Sequence, residues 1–303
     1  MLGRAKRQKG NYAEAFNDFQ QVLQLSEQVG DPTLISTAHV EMGNVLAHQE
    51  NYLDALHHFE KSYQIEKSLG LEIYASYSLH NRSEMLWRLG RYQEARDILH
   101  QAMTVAEKPD IKDQELLVHS YLTQAHIALS ENRFGEAQAK SEQALKAVGD
   151  SNKPLAVEAK RTLGMALSYS GATARGQLLC EEAVTTAKVT GDPWLISCSL
   201  LALAKAQLAK GDAPGALASA QEAQASFARA GQKVSEWRAW FVAARASQRA
   251  GDPEAARDYA SRATNLLAEL QQKWGAAAFN IYQARPDVQL CRKQLDELSA
   301  SVR

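Results

Sequence analysis

Cysteine, proline, net charge and long apolar runs are all scarce in this sequence, and each scarcity argues against a class of protein. Three cysteines among 303 residues, at positions 180, 198 and 291, are too few and too scattered for a disulfide framework. No CxxC or Cys/His spacing predicts a metal site. This cysteine usage favours a reducing, cytoplasmic compartment. Seven prolines are few, whereas Ala, Leu, Glu and Gln are plentiful, which favours helix throughout.

No apolar run is long enough to predict a membrane span. The longest, LISCSLLALAKAQLA at residues 195–209, is interrupted by Lys205 and is shorter than the ~20 residues that a spanning helix needs. The N-terminal sequence MLGRAKRQKGNY is basic but has no apolar segment behind it, so it does not match a signal peptide. We therefore predict a cytoplasmic protein with no membrane partner.

The formal net charge is only −1, and nucleic-acid partners are not expected because phosphate binding usually requires a basic excess. The two halves of the chain differ, however. Residues 1–150 hold 15 Lys/Arg against 21 Asp/Glu, and residues 151–303 hold 19 against 14. This difference indicates either two differently solvated surfaces or a binding preference of the second half, and the composition alone leaves both interpretations open.

A six-residue frame recurs along the chain at a nearly constant period. It is clearest as GNYAEA (10–15), ENYLDA (50–55), GRYQEA (90–95) and NRFGEA (132–137). Weaker copies are GATARG (171–176), GDAPGA (211–216) and GDPEAA (251–256). The last residues of these frames lie 40, 40, 42, 39, 40 and 40 positions apart. Seven copies at one period indicate stacked supersecondary units.

Two columns of small residues keep the same register as the frames. Twelve residues before the last residue of each frame the chain carries Gly, Ala or Ser, and seven residues after it every unit but the first carries Ala or Ser. Small residues at fixed places on two successive helices let the two backbones approach closely. The columns are Gly3, Gly43, Ser83, Ala125, Gly164, Ala204, Ala244 and Val22, Ser62, Ala102, Ala144, Ala183, Ala223, Ala263.

Each unit is predicted to be a helical hairpin. In the second unit, helix A is expected from about Thr33 to Gln49 and helix B from near Tyr52 to about Leu69. Gly or Asn in the short turn tolerates the positive φ that helix ends require. Gly-Asp-Pro at 30–32 suits the end of one helix and the start of the next.

The pattern small–x11–Ala–x6–Ala, with Tyr three residues before the middle Ala, resembles the tetratricopeptide repeat (TPR). The pairs at 42–43, 163–164 and 203–204 match the Leu-Gly/Ala pair of this family. The period is 40 rather than about 34 residues, and the longer unit resembles the MalT-like TPR regions of bacterial regulators. HEAT repeats share the period but lack these columns. The resemblance implies an all-α, right-handed superhelical solenoid of antiparallel helix pairs, with about seven repeats in one domain over residues 1–303.

Both ends depart from the repeat. The first unit has only nine residues before its turn, so its helix A is short. We expect residue 1 to lie inside a larger protein, with more repeats or another domain upstream. At the other end, Trp274–Tyr282 and Arg285-Pro286-Asp287 precede a polar helix expected at 287–302, which would cap the array. Its charged face is Arg292, Lys293, Asp296 and Glu297.

No catalytic constellation or cofactor motif is evident, so we predict a non-enzymatic protein without a cofactor. GATARG at 171–176 lacks the Gly-Lys-Ser/Thr of a phosphate loop. His80, His119 and His126 would project from helix A, either as ordinary polar residues or as a metal or proton-sensing cluster. No His-x3-His pair occurs among them, so no metal is predicted. Cys180 falls in the helix B column that carries Phe or Leu in other units, so we expect it to be packed.

In the TPR template, helix A lines the concave face, where solenoids bind their partners. Units two to four offer aromatic and His side chains there, and units five to seven add Arg and Lys. Arg with aromatics is typical of binding hot spots, and guanidinium groups suit carboxylates, although such cations can also simply solvate a groove. The predicted partner-binding residues are Asn44, Tyr77, His80, Glu84, Trp87, Arg88, His126, Arg161, Tyr169, Lys205, Arg238, Phe241, Arg245 and Arg249.

We therefore predict a protein–protein interaction scaffold, serving as a regulatory or sensor segment of a bacterial signalling or transcription-regulatory protein. Its groove would bind a protein or peptide, acidic where the groove is basic, or an upstream domain of the same protein. The alternative is a small-molecule effector-sensing domain of a MalT-like regulator, with the effector near Tyr77, Trp87 and His126 shifting a conformational equilibrium. The sequence carries no indication of the oligomeric state.

Overall fold

The computed structural model describes residues 2–149 and 152–300, and the only regular secondary structure in these ranges is helix. The described residues up to Thr123 form one compact unit, and those from Gln124 onward form a second. We call them unit 1 and unit 2. That the chain is a single domain stays a prediction.

Unit 1 consists of consecutive helices joined by short turns. Its last helix, α7, continues past Thr123, so the final residues of α7 belong to unit 2. The helices are α1 (Leu2–Gln8), α2 (Tyr12–Val29), α3 (Pro32–His48), α4 (Tyr52–Ser68), α5 (Glu72–Leu89), α6 (Tyr92–Ala106) and α7 (Gln114–Ser130).

Unit 2 continues the same pattern and ends with two helices that depart from it. The helices are α8 (Phe134–Val148), α9 (Lys153–Tyr169), α10 (Thr173–Thr190), α11 (Pro193–Lys210), α12 (Ala213–Arg229), α13 (Lys233–Arg249), α14 (Pro253–Gln283) and α15 (Pro286–Ala300).

Successive helices pack as pairs, as the repeat predicts. The helices α3 and α4 pack together, as do α9 and α10, α11 and α12, and α13 and α14. The first helices of neighbouring pairs also lie side by side, α9 against α11 and α11 against α13. The helices expected at 33–49 and 52–69 are observed at Pro32–His48 and Tyr52–Ser68. The predicted all-α arrangement of helix pairs is therefore confirmed.

Glycine, aspartate and proline separate the pairs in the predicted way. At the start of α11, the Asp192 carboxylate accepts hydrogen bonds from the backbone N–H groups of Trp194 (2.9 Å) and Leu195 (3.1 Å). Pro193 occupies the first helical position, where no N–H is needed. Gly191, which ends α10, has φ 70°, a left-handed conformation that favours glycine. The same Gly-Asp-Pro sequence precedes α3.

The columns of small residues lie where the two helices of a pair come closest. A Cβ atom added at Gly43 would lie 2.6 Å from the Phe59 ring, and one added at Gly164 would lie 2.6 Å from the Cys180 sulfur. Cys180 is fully buried, as predicted, and burial raises the pKa of its thiol to about 12. These contacts show why the columns exclude larger side chains, since real Cβ atoms do not approach other heavy atoms so closely.

The helix α14 ends the repeat pattern. Gly275 interrupts it with φ 76° and ψ 163°, a backbone conformation that is essentially restricted to glycine. The chain then continues through the last turns of α14 to Pro286, where α15 begins and packs against α14. None of the helices in the described ranges combines the length and the apolar character that a membrane-crossing segment requires.

Candidate protein-binding surface

In unit 2, the adjacent helices α9, α11 and α13 form a surface that carries seven of the fourteen predicted groove residues. We call this surface, together with Ser130 at the end of α7, the A-helix face. One cation comes from each of the three helices, namely Arg161, Lys205 and Arg238. The three lie close enough that the charges of Arg161 and Arg238 both act on Lys205. Three of the five predicted cations of the fifth to seventh units are thus brought together.

The Arg238 guanidinium is held by residues that follow the repeats. It donates hydrogen bonds to the Tyr282 hydroxyl (2.7 Å) and to the Asp287 carboxylate (2.9 Å). The indole N–H of Trp237 also donates to the Tyr282 hydroxyl, at 2.9 Å. Asp287 lies in the first turn of α15, so one end of this helix is attached to the A-helix face through a charge-assisted hydrogen bond.

Arg285 completes this attachment from the other side of the same carboxylate. Its guanidinium donates to both oxygens of Asp287, each at 3.0 Å, and to the Ser130 hydroxyl at 3.0 Å. Only 5% of Arg285 is exposed. A buried charge of this kind is stable only when paired and hydrogen-bonded, as it is here. Two Arg side chains therefore neutralise one carboxylate, and the pKa of Asp287 lies below its usual value: burial alone would raise it, but Arg285 and Arg238 outweigh that.

The remaining cations of the A-helix face are incompletely paired. Lys205 is half-buried, and no hydrogen bond or ion pair joins its ammonium group to the described residues. Burial, aided by the charge of Arg238, lowers the pKa of Lys205 to about 8. Arg161 donates to Glu158 at 3.1 Å, but its Nε–H is buried without a partner. Glu158 also contacts His126 Nε2 at 3.1 Å.

The other predicted residues of unit 2 lie towards the edges of this surface. Arg245 donates to Gln248 at 3.0 Å, and the charge of Glu297 on α15 acts on it. Arg249 donates to the backbone carbonyl of Leu208. Tyr169 packs its ring against that of Phe134, with the ring centroids 5.3 Å apart, and Phe241 is half-buried on α13.

In unit 1, the predicted residues Tyr77 and His80 of α5 are within hydrogen-bond distance of other side chains of the same unit. The Tyr77 hydroxyl donates to the Asp113 carboxylate at 3.1 Å, and burial, with the Asp113 charge, raises the pKa of Tyr77. His80 Nε2 lies 3.1 Å from the Thr123 hydroxyl, and its ring centroid lies 5.2 Å from that of His119.

The residues predicted at the C-terminal end of α5 form a cluster around Arg88. Arg88 donates to Glu84, and its guanidinium lies 4.9 Å from the Trp87 ring and 5.5 Å from the Tyr52 ring. On α3, the backbone carbonyl of Asn44 is 2.8 Å from a ring nitrogen of His48. Glu84, Trp87 and Arg88 therefore contact one another, whereas Asn44, Tyr77 and His80 contact other residues of unit 1.

Histidines form one close pair that the sequence did not predict. His39 and His58 bring their Nδ1 atoms to 2.9 Å, and burial lowers the pKa of each ring to about 4. Nowhere in the described part of the chain do three or more His, Cys, Asp or Glu side chains come together in an arrangement suited to a metal ion.

Tyr282, Arg285 and Asp287 contact the A-helix face but are not among the predicted groove residues. The sequence did contain a signal, because the Arg-Pro-Asp stretch stood out as a departure from the repeat. It was assigned to the start of a capping helix, and only the structure shows its charged side chains attached to Ser130 and Arg238.

Comparison with known proteins identifies the repeat. The tetratricopeptide-repeat family model matches residues 1–68, 33–108 and 72–150. The chain belongs to the tetratricopeptide-repeat family. The TPR chain also matches Tonsoku-like protein from Bos taurus, with 33% identity over 115 residues, and from Mus musculus, with 31% identity over 142 residues. These segments are 35% and 44% of the chain but only 8% and 10% of the curated relatives.

Solved structures with a similar fold share little sequence with this TPR chain. A Rap protein complexed with Competence and Sporulation Factor aligns with a TM-score of 0.64 at 12% identity, covering 95% of this chain and 82% of that one. A signal transduction ATPase with numerous domains and a tetratricopeptide repeat sensor, from Pyrococcus horikoshii, aligns with a TM-score of 0.54 at 15% identity, covering 96% and 53%. These likenesses establish the fold over nearly the whole chain, including the weaker repeats.

The TPR family supports a protein–protein interaction scaffold, and scaffolds of this kind are generally non-catalytic. The MalT-like subclass stays a prediction.

Proposed function

We propose that this TPR chain is a non-enzymatic interaction scaffold that binds an acidic protein segment on the A-helix face of unit 2. The observation that carries the proposal is the ion pair between Arg238 and Asp287, at 2.9 Å. The face thereby accepts a carboxylate from a helix that is not part of the repeat pattern. Arg also suits such a role because its forked donors match carboxylate geometry.

The positive charge that remains on the face supports an acidic ligand. The ammonium group of Lys205 and the Nε–H of Arg161 lack hydrogen-bond partners in the described structure. Buried or half-buried cations gain most from an added carboxylate, because folding has already removed part of their hydration. A peptide with carboxylates spaced along a helix would supply these missing partners.

The wider role is that of a regulatory or sensor segment in a bacterial signalling or transcription-regulatory protein. The 40-residue period supports this assignment, because it matches the longer repeat of the MalT-like regions. The small-molecule alternative has less support, since Tyr77 and His126 already contact Asp113 and Glu158.

A peptide-library selection on the immobilised chain tests the acidic-segment proposal. We expect enrichment of sequences with two or more Asp or Glu at helical spacing, and loss of this enrichment for Lys205→Glu. The matched control is Lys210→Glu, which makes the same charge change at an exposed position of the same helix. Enrichment without acidic residues, or enrichment that Lys205→Glu leaves intact, would contradict the proposal. A melting temperature close to that of the wild type establishes that each variant is folded.

A further inference from the structure

The helix α15 sits on the A-helix face as a ligand supplied by the chain itself. Its first turn is fixed by Asp287, which bonds to Arg238 and whose charge also acts on Lys205, and further along it the charge of Glu297 acts on Arg245. The helix therefore lies near cations of both α11 and α13.

The attachment of α15 has the character of a separable interface rather than of a repeat pair. Its buried apolar side chains are few, namely Val288, Leu295 and Leu298. Its best-defined polar attachment is the Arg238–Asp287 ion pair, and a buried Arg that loses such a partner must be paired again by another carboxylate to avoid a large cost. An interface of this kind can exchange one carboxylate ligand for another.

The chain also contains a joint at which the tail could separate from the repeats. Gly275 interrupts α14 in a conformation that other residues rarely adopt. Because the hydrogen-bonded helix is broken there, the segment after Gly275 is not a rigid continuation of the last repeat. The main packing partner of α15 is α14, whereas the repeat helices pack mainly against one another.

The charges show which ligand would replace α15. Once the segment after Gly275 is removed, Arg161, Lys205 and Arg238 bring three positive charges to the face, whereas Glu158 brings one negative charge. Cys291 of α15 also lies near Lys205, but it is a thiol rather than a carboxylate and is uncharged at neutral pH because burial raises its pKa to about 11. A helix with a second acidic residue at that position would satisfy the face better than α15 does.

We propose that the A-helix face under α15 is a docking site for an acidic helix of another protein, and that α15 occupies this site until such a helix replaces it. This inference rests on the proposed function and adds the form of the ligand and its competition with α15.

The test uses the full chain and a peptide of residues 284–300 in which Cys291→Glu adds the second carboxylate. Fluorescence anisotropy measures its binding, and the same peptide with Cys291→Ser is the control. We expect the Glu peptide to bind about tenfold more tightly than the Ser peptide, because it adds one charge-assisted contact to Lys205. Lys205→Glu in the chain should remove the difference.

Displacement of α15 is measured on the Cys291 thiol of the chain itself. Burial raises the pKa of this thiol to about 11, so alkylation by N-ethylmaleimide is slow while α15 is in place. The bound Glu peptide should accelerate alkylation of Cys291, whereas alkylation of the buried Cys180 should not change. Mass spectrometry of the separate peptides gives both rates.

Asp287→Ala provides a second route to the open state. It removes the carboxylate that holds α15, so both peptides should bind this variant more tightly than the wild type, and Cys291 should react faster. Asp296→Ala, an exposed acidic position on the same helix, is the matched control and should behave like the wild type. Should Asp287→Ala fail to fold, the Glu peptide on the wild-type chain still decides the question.

Three outcomes would overturn the proposal. One is that neither peptide binds the wild type or Asp287→Ala. Another is peptide binding that leaves Cys291 alkylation unchanged, since the ligand would then sit elsewhere. The third is a dimer exchanging α15 between two copies of the chain, detected by light scattering. Acidic enrichment in the library selection without displacement of α15 would overturn this inference and leave the proposed function standing.

Discussion

At the scale of single residues, the contact between Gly43 and Phe59 sets how closely two helices approach. A Cβ atom at Gly43 would lie 2.6 Å from the Phe59 ring, and the ring itself is almost fully buried. Neither group has room to move without disturbing the core, since interiors are packed as densely as organic crystals. The small residue is therefore required by packing and not by backbone conformation.

We predict that Gly43→Ala destabilises the chain by about 1–3 kcal/mol, the usual cost of overpacking a core. Gly135→Ala is the matched control, because no atom lies within 4 Å of the added Cβ and alanine favours the helix. That variant should be neutral or more stable by up to about 1 kcal/mol. Urea denaturation measures both changes, and equal effects of the two substitutions would refute this explanation of the small column.

The pair His39–His58 predicts a loss of stability in acid. Burial lowers the pKa of both rings to about 4, with the charges of Lys61 and His57 adding to the effect. The ordinary value of about 6.5 applies to the unfolded chain, which therefore binds more protons between these two pKa values. The contribution of the pair is fully present above pH 6.5 and is lost as the pH falls towards 4.

We expect the free energy of unfolding to fall by about 2 kcal/mol over this range because of the pair. This is less than the full linkage free energy of two such pKa shifts. The double variant His39→Gln/His58→Gln should show a correspondingly flatter pH profile. His100→Gln, at an exposed position, should leave the profile unchanged. Parallel profiles of the wild type and the double variant would show that the pair does not titrate as described.

At the scale of helices and turns, the boundaries depend on which side chains cap them. Asp192 accepts hydrogen bonds from two backbone N–H groups of α11, whereas Asn51 at the start of α4 makes no side-chain capping bond. We predict that Asp192→Ala costs about 1 kcal/mol of stability and that Asn51→Ala costs much less. Thermal unfolding of the two variants measures the difference. A loss as large for Asn51→Ala would mean that these turns are stabilised in another way.

The helix pairs could be predicted from the sequence because each is encoded several times. The Gly, Asp and Pro positions repeat with the period, and the bounds of α3 and α4 were predicted to within one residue. The docking of α15 could not be predicted in this way. Arg238 and Asp287 are 49 positions apart, and their contact depends on the single break at Gly275, which no repeat encodes. The cations of the A-helix face could be predicted because they occupy helix A positions of the repeat. Their carboxylate partner, Asp287, could not be predicted because it lies outside the repeat.

At the scale of the whole molecule, the structure shows where part of the extra positive charge of the second half of the sequence lies. The basic second half places cations from three neighbouring helices on one face of unit 2. In unit 1, candidates such as Tyr77 and Arg88 instead bond to carboxylates of the same unit. The acidic ligand proposed for unit 2 follows from this contrast and not from the net charge, which is close to zero.

Hydrogen exchange of the whole chain, with and without the residue 284–300 peptide carrying Cys291→Glu, tests most directly whether the A-helix face is a site for acidic helices. We predict that the bound peptide accelerates amide exchange in α15 while α9, α11 and α13 keep or gain protection. Unchanged exchange in α15 with the peptide bound, or protection confined to other helices, would contradict this site.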